Sequence, residues 1–209
     1  MDPSPEDFFD RIREEIASKM HRAGDPTKRF MTEEVLRGIW KADAKLIHLG
    51  NILKLNSDEK DIVEKDLLQT LTILVMICWT NWARFKDIFL HHQTAKGKRD
   101  RTDRAICEYT FEGLVSQSFL NSSAKAQSFL DNRYSFQPLF IEEGKIIVKK
   151  DKGWRLPFQD ESGEVIGNGS YGEVTKEVIA ARQFRNSESL DNKVLTMVWI
   201  QAISLIRTL

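Results

Sequence analysis

Two cysteines in 209 residues, Cys78 and Cys107, are too few for a disulfide framework, and neither has a partner at metal-ligand spacing. Net charge is also missing, since 31 Lys and Arg residues balance 31 Asp and Glu residues. Without a basic excess there is no electrostatic footprint for nucleic acid. The nearest candidate, KGKRDRTDR at Lys96–Arg104, is interrupted by Asp100 and Asp103 and reads as a solvated loop. No secretory leader opens the chain: MDPSPEDFFDRIREE is acidic from its second residue and lacks a basic stretch followed by an apolar one. Long apolar runs are absent too. The richest, LLQTLTILVMICWTNW at Leu67–Trp82, contains Gln69, three threonines and Asn81, and it falls short of the roughly twenty residues a membrane span needs. These absences argue against a disulfide-stapled secreted domain, a nucleic-acid partner and a membrane partner. They leave an intracellular, cytoplasmic protein as the expectation, in which the sequons at Asn121 and Asn168 are chance matches.

What is present in residues 1 to about 133 is helical periodicity. Ser4-Pro5-Glu6-Asp7 combines an N-cap hydroxyl, a proline at the first helical position and a carboxylate three residues after the cap. Phe8, Phe9, Ile12, Ile16 and Met20 continue as an apolar stripe, and AGDP at 23–26 ends it. Thr32 caps a second helix with Glu33 and Glu34 in its first turn; Leu36, Ile39, Trp40, Leu46, Ile47 and Leu49 form its apolar face, and Gly50-Asn51 supplies the stop. Ser57, Asp58 and Glu59 open a third, longer helix whose apolar middle, the Leu67–Trp82 run, is expected to be buried by its neighbours. Further periodic segments run over 103–120 and 122–131. The aromatic residues here sit at helical spacing and read as core. His91-His92 is not a metal pair, because adjacent helical residues point about 100° apart. No catalytic residue and no metal ligand is assigned.

The pattern changes after residue 133. YSFQPLFIEEGKIIVKK at Tyr134–Lys150 has two short apolar runs about Gly144, a hairpin signal. DKGWRLPFQDESG reads as a linker, which places a domain boundary near 150–155: a helical domain over 1–150 and a second region over 151–209.

The second region holds the one strong motif, Ile166-Gly167-Asn168-Gly169-Ser170-Tyr171-Gly172-Glu173-Val174. Glycines at G-x-G-x-x-G spacing let a backbone approach phosphates. In a dinucleotide-binding fold the third glycine opens a helix. Here EVTKEVIA follows, with β-branched residues on both faces of a strand, which fits a strand, a glycine hairpin and a second strand instead.

Over EVIGNGSYGEVTK (Glu164–Lys176), the sequence resembles the eukaryotic-type protein kinases. With WRLPF (Trp154–Phe158) ahead of it and a helical region containing Trp79, Trp82 and Phe85, it looks most like fungal serine/threonine-type kinases with a helical N-terminal segment. The resemblance implies an α+β protein, mostly helical at its N-terminus and followed by an incomplete kinase N-lobe sheet. It implies that Ile166 and Val174 sandwich the adenine of ATP, and that Gly167, Gly169 and Gly172 lie over the phosphates. Ser170 and Tyr171 form the tip of the flap, and Asn168 and Glu173 complete the loop.

The departures from the family pattern are as informative. No V-A-I-K strand, H-R-D or D-F-G motif follows, and Lys193, preceded by Asp191-Asn192, is not expected to be the phosphate lysine. The expectation is therefore a protein-kinase fragment cut short after its loop. It would have weak or no ATP affinity, magnesium only in a complete domain, and no turnover. The alternative is a non-catalytic helical interaction or regulatory module. The tail VLTMVWIQAISLIRTL carries no charge from Val194 to Ile206 and fits a broad apolar helical face, expected to pack back as a helix or to drive self-association.

Overall fold

The computed structural model describes residues 4–22, 24–25, 27–91, 101–107, 109–116, 120, 122–142, 155–159, 164–169, 172–180, 182–185 and 196–202. They form an α+β protein, mostly helical with a smaller strand-containing part. The chain divides into two compact units, one comprising Met1–Met20 with Met31–Gln137 and the other His21–Phe30 with Pro138–Leu209. In this division the segment between the first two helices belongs to the second unit, which resumes at Pro138.

In the helical unit, α1 (Pro5–Ser18) starts as its sequence dictates: the Ser4 hydroxyl accepts the Asp7 N–H at 3.1 Å, and Pro5 occupies the first turn. Phe8, Phe9, Ile12 and Ile16 are buried. The second helix, α2 (Glu33–Lys41), is capped by Thr32, but it does not run on to Leu49. Asp43 and Ala44 take left-handed conformations (φ 52° and 55°), and α3 (Lys45–Ile52) begins after them. Two such residues cost on the order of 1–3 kcal/mol each. The kink is held from outside, because Lys45 Nζ bridges Glu15 at 3.0 Å and Asp43 at 3.3 Å. Gly50-Asn51 lies inside α3 rather than ending it.

The long third helix of the sequence reading is two helices, α4 (Ser57–Asp66) and α5 (Leu68–Met76). Asn56 is the cap, forming a reciprocal box with Glu59. Leu67 leaves helical geometry at φ −133°. The orphan N–H groups created at the start of α5 are taken by Asp103, whose carboxylate accepts from Gln69 at 2.9 Å and Thr70 at 2.7 Å. At the other end the Lys125 ammonium donates to the carbonyls of Ile77 (3.0 Å) and Cys78 (2.9 Å). With both ends satisfied by distant side chains, α5 is buried along its length, as its composition required. Trp40 Nε1 donates to the Thr72 hydroxyl at 2.9 Å, and that hydroxyl donates to Leu68 O at 2.7 Å, so this polar pair enters the core without an unmet hydrogen bond.

Around α5, Phe9 stacks on Trp82 with centroids 4.0 Å apart, and Trp79, Phe85 and Phe89 complete an aromatic cluster. The Trp79–Phe85 segment is not a regular helix. It is a short 3-10 turn at Trp82–Arg84 leading into a π-helical turn at Lys86–Leu90. Three further helices, α6 (Asp103–Cys107), α7 (Phe111–Ser116) and α8 (Ser123–Phe136), close the unit. Two readings are corrected here. Arg101 and Asp103 are not solvated loop residues: Arg101 is buried and donates to Ile88 O at 2.8 Å, while Asp103 caps α5. Tyr134–Phe136 ends α8 instead of starting a hairpin.

In the second unit, β1 (Ile141–Glu142) pairs in parallel with β4 (Phe184–Arg185), and the second run of the expected hairpin lies outside the described residues. Gly144 lies outside the described residues. A three-stranded antiparallel sheet has the order β2-β3-β5, formed by β2 (Glu164–Gly169), β3 (Gly172–Val178) and β5 (Thr196–Ala202). The tail segment is thus a strand where a helix was expected. Its TMVWIQA composition, rich in β-branched and aromatic residues, suits pairing along β3. Ile141, Phe158 and Ile179 form a small core, with Leu156 and Phe184 packed against it. Among the described residues, no helix is long and apolar enough to cross a membrane.

Candidate functional site

The glycine motif lies on the β2–β3 hairpin. Gly169 pairs with Gly172, Asn168 with Glu173 and Gly167 with Val174, so the strands continue to the edge of a two-residue tip. That tip, Ser170 and Tyr171, lies outside the described residues. A register shift between Val165 and Gly167 marks an irregularity at Ile166. Val165 and Ile166 are both about half exposed, at 49% and 51%. This is apolar surface set immediately before the first glycine.

Gly167 has open space about it. A β-carbon built there would meet no heavy atom within 4 Å. Packing within the protein therefore does not require a glycine at this position, whereas close approach of a ligand to the backbone would.

The third strand has no lysine: β5 reads TMVWIQA, and its register sets Val174 opposite Ile200 and Thr175 opposite Trp199. Lys193 lies outside the described residues. Among the described residues, no group of three His, Cys, Asp or Glu side chains could hold a metal ion.

The structure adds two residues that sequence reasoning did not single out, Glu177 on β3 and Arg22 in the α1–α2 loop. The Glu177 carboxylate is buried and meets the Arg22 guanidinium at 3.0 Å. Arg22 also donates to Phe158 O (2.9 Å) and Gln159 O (3.2 Å), and it lies 5.9 Å from the centre of the Phe158 ring. The only signal in the sequence was an isolated arginine in a loop, 155 positions from its carboxylate; no periodicity connects the two.

The helical unit contains polar sites of its own. His91 reaches the buried Glu59 at 3.1 Å; Glu59 also meets Lys86 at 2.8 Å and accepts the Asn56 N–H at 2.8 Å. Burial opposes ionisation of Glu59, but the Lys86, Asn56 and His91 contacts together hold it below the ordinary carboxylate range. His92 lies outside the described residues. A cavity of about 680 Å³ is lined in part by Glu33, Arg37, Asp66, Gln69 and Asp103. A cleft of about 510 Å³ lies along α1 and α3, lined in part by Phe8, Glu15, Lys45, His48 and the exposed Ile47.

No protein-family model, curated protein or solved structure matches this chain.

Proposed function

We propose that the second unit is a nucleotide-binding sheet of the protein-kinase type, whose glycine hairpin receives the phosphates of an adenine nucleotide such as ATP. The observation that carries this reading is the hairpin: strands flank G-x-G-x-x-G on both sides, with Gly169 opposite Gly172, and a third antiparallel strand lies against β3. In a dinucleotide-binding loop the third glycine would open a helix.

On this reading the hairpin backbone N–H groups donate to phosphate oxygens, and the missing β-carbon at Gly167 lets the chain come close. The exposed Val165 and Ile166 offer apolar surface to the base. Without a lysine on β5, that strand supplies no charge-assisted contact to phosphate. Such contacts contribute about 1.5–3 kcal/mol each, so losing them weakens affinity on the order of a hundredfold or more. The described residues offer magnesium no ligand set, and no transfer step is assigned to it. The proposed activity is weak nucleotide binding without turnover.

A second reading, a helical interaction or regulatory module, has its own support in the cleft along α1 and α3 with Ile47 exposed beside it.

Calorimetry with ATP, with and without magnesium, separates the readings. The nucleotide reading expects weak, magnesium-independent binding that Gly167→Ala reduces while leaving the melting temperature unchanged. Tight, magnesium-dependent binding would refute the weak-affinity claim, and no binding at millimolar ATP would favour the helical module.

A further inference from the structure

The ten-residue excursion His21–Phe30 leaves the helical sequence and joins the sheet unit. Its ends are paired both ways, His21 N–H to Phe30 O at 2.9 Å and Phe30 N–H to His21 O at 3.1 Å, with the two rings stacked at 4.9 Å. Inside the loop, Asp25 accepts from the Thr27 N–H at 2.9 Å and from its hydroxyl at 2.6 Å, and the Lys28 and Arg29 N–H groups both reach Asp25 O at 2.9 Å. These hydrogen bonds tie the described residues of the loop to one another.

Arg22 takes a left-handed conformation, φ 53°, which a side chain-bearing residue rarely adopts without being held. The head group that this conformation carries links two segments. It donates to Phe158 O and Gln159 O, and it meets the Glu177 carboxylate on β3. Those segments are also joined directly, by Gln159 N–H to Val178 O and Ala180 N–H to Pro157 O, each at 2.8 Å. Glu177 is buried, so removing Arg22 would take a cationic partner from a carboxylate in the interior of the unit.

We propose that the α1–α2 loop is a built-in clamp on the glycine hairpin and that Arg22 is its positioning residue: by holding Glu177, it orders β3 and thereby sets the hairpin's affinity for nucleotide. The ordering half stands on the geometry alone; the affinity half rests on the nucleotide reading above. Because β3 runs without interruption from Gly172 to Val178, loosening it at Glu177 loosens the strand that carries the third glycine.

The test uses the full chain with Arg22→Met, Glu177→Gln and the double variant, read by amide hydrogen exchange and by ATP titration. Arg22→Met should speed exchange at β3 by at least about tenfold while α5 keeps its wild-type rates, because only the local unit loses a buried partner. The double variant should recover part of that protection, since it also removes the buried charge that Arg22 had met. ATP affinity should fall with β3 protection across the three variants.

Unchanged exchange at β3 in Arg22→Met would overturn the clamp, and so would α5 loosening in parallel. Exchange that changes while ATP affinity stays constant would overturn the affinity half. If the wild-type chain gives no response to ATP, the nucleotide reading and the affinity half fall together, and the exchange data still decide the clamp.

Discussion

Replacing Asp103 with asparagine should flatten the pH dependence of the helical unit's stability between about pH 3.8 and 6. The Asp103 carboxylate accepts two N–H groups at the start of α5, yet burial pushes it up from 3.8 to about 6. Hydrogen bonds from Thr70 and Gln69 oppose that rise, and the charge of Asp66 adds to it. With the folded value above the unfolded one, the native state holds the proton more tightly. The resulting stability is complete below about 3.8 and is lost as the pH rises through about 6. Two units at about 1.36 kcal/mol each give about 3 kcal/mol as an upper limit. Attraction of the ionised form to the N-terminus of α5, about 0.3–1 kcal/mol, lowers this figure without reversing its sign. Urea unfolding across the pH range, followed by a signal from the helical unit, measures the effect. The wild-type chain should become more stable as the pH falls through the window. Asp103→Asn, which stays neutral and keeps one acceptor oxygen, should not. Parallel profiles for the two proteins would refute the reasoning.

Glu59 carries the opposite sign. Held below its ordinary 4.5, it stabilises above that pH and loses its contribution as the pH falls through its folded value. Glu59→Ala should cost about 1–3 kcal/mol at neutral pH in thermal unfolding, because it removes the carboxylate that meets Lys86 and His91 and opens the capping box; a cost below about 0.5 kcal/mol would contradict this. Ending the chain after Asn192 removes β5 and exposes the edge of β3, which should abolish amide protection in β3 and raise the light-scattering mass, with helical-unit melting unchanged. Equal mass and equal β3 protection would contradict the role given to the tail strand.

What could be read from sequence was what nearest neighbours decide. Ser4 and Thr32 cap the helices their spacing announced, because a cap bonds three residues ahead. The stripe of Phe8, Phe9, Ile12 and Ile16 is buried because helical periodicity fixes its face. The strand after Gly172 was legible from its alternating β-branched residues. Features decided by distant partners were not. The break at Leu67 is stabilised by Asp103, and the kink at Asp43–Ala44 is held by Lys45 and Glu15. The tail read as a helix from its apolar spacing, and pairing with β3 decided otherwise. Within the candidate site, the glycines and Ile166 were visible as a motif, whereas Arg22 and Glu177 became partners only through the fold.

On the proposed nucleotide reading, the hairpin at Gly167, Gly169 and Gly172 faces phosphate. Amide chemical shifts during an ATP titration, with adenosine as the control, test it most directly. These three glycine amides should shift earliest and furthest with ATP and stay put with adenosine, which lacks phosphate. Glycine amides unmoved at millimolar ATP, or shifts confined to the cleft along α1 and α3, would contradict it.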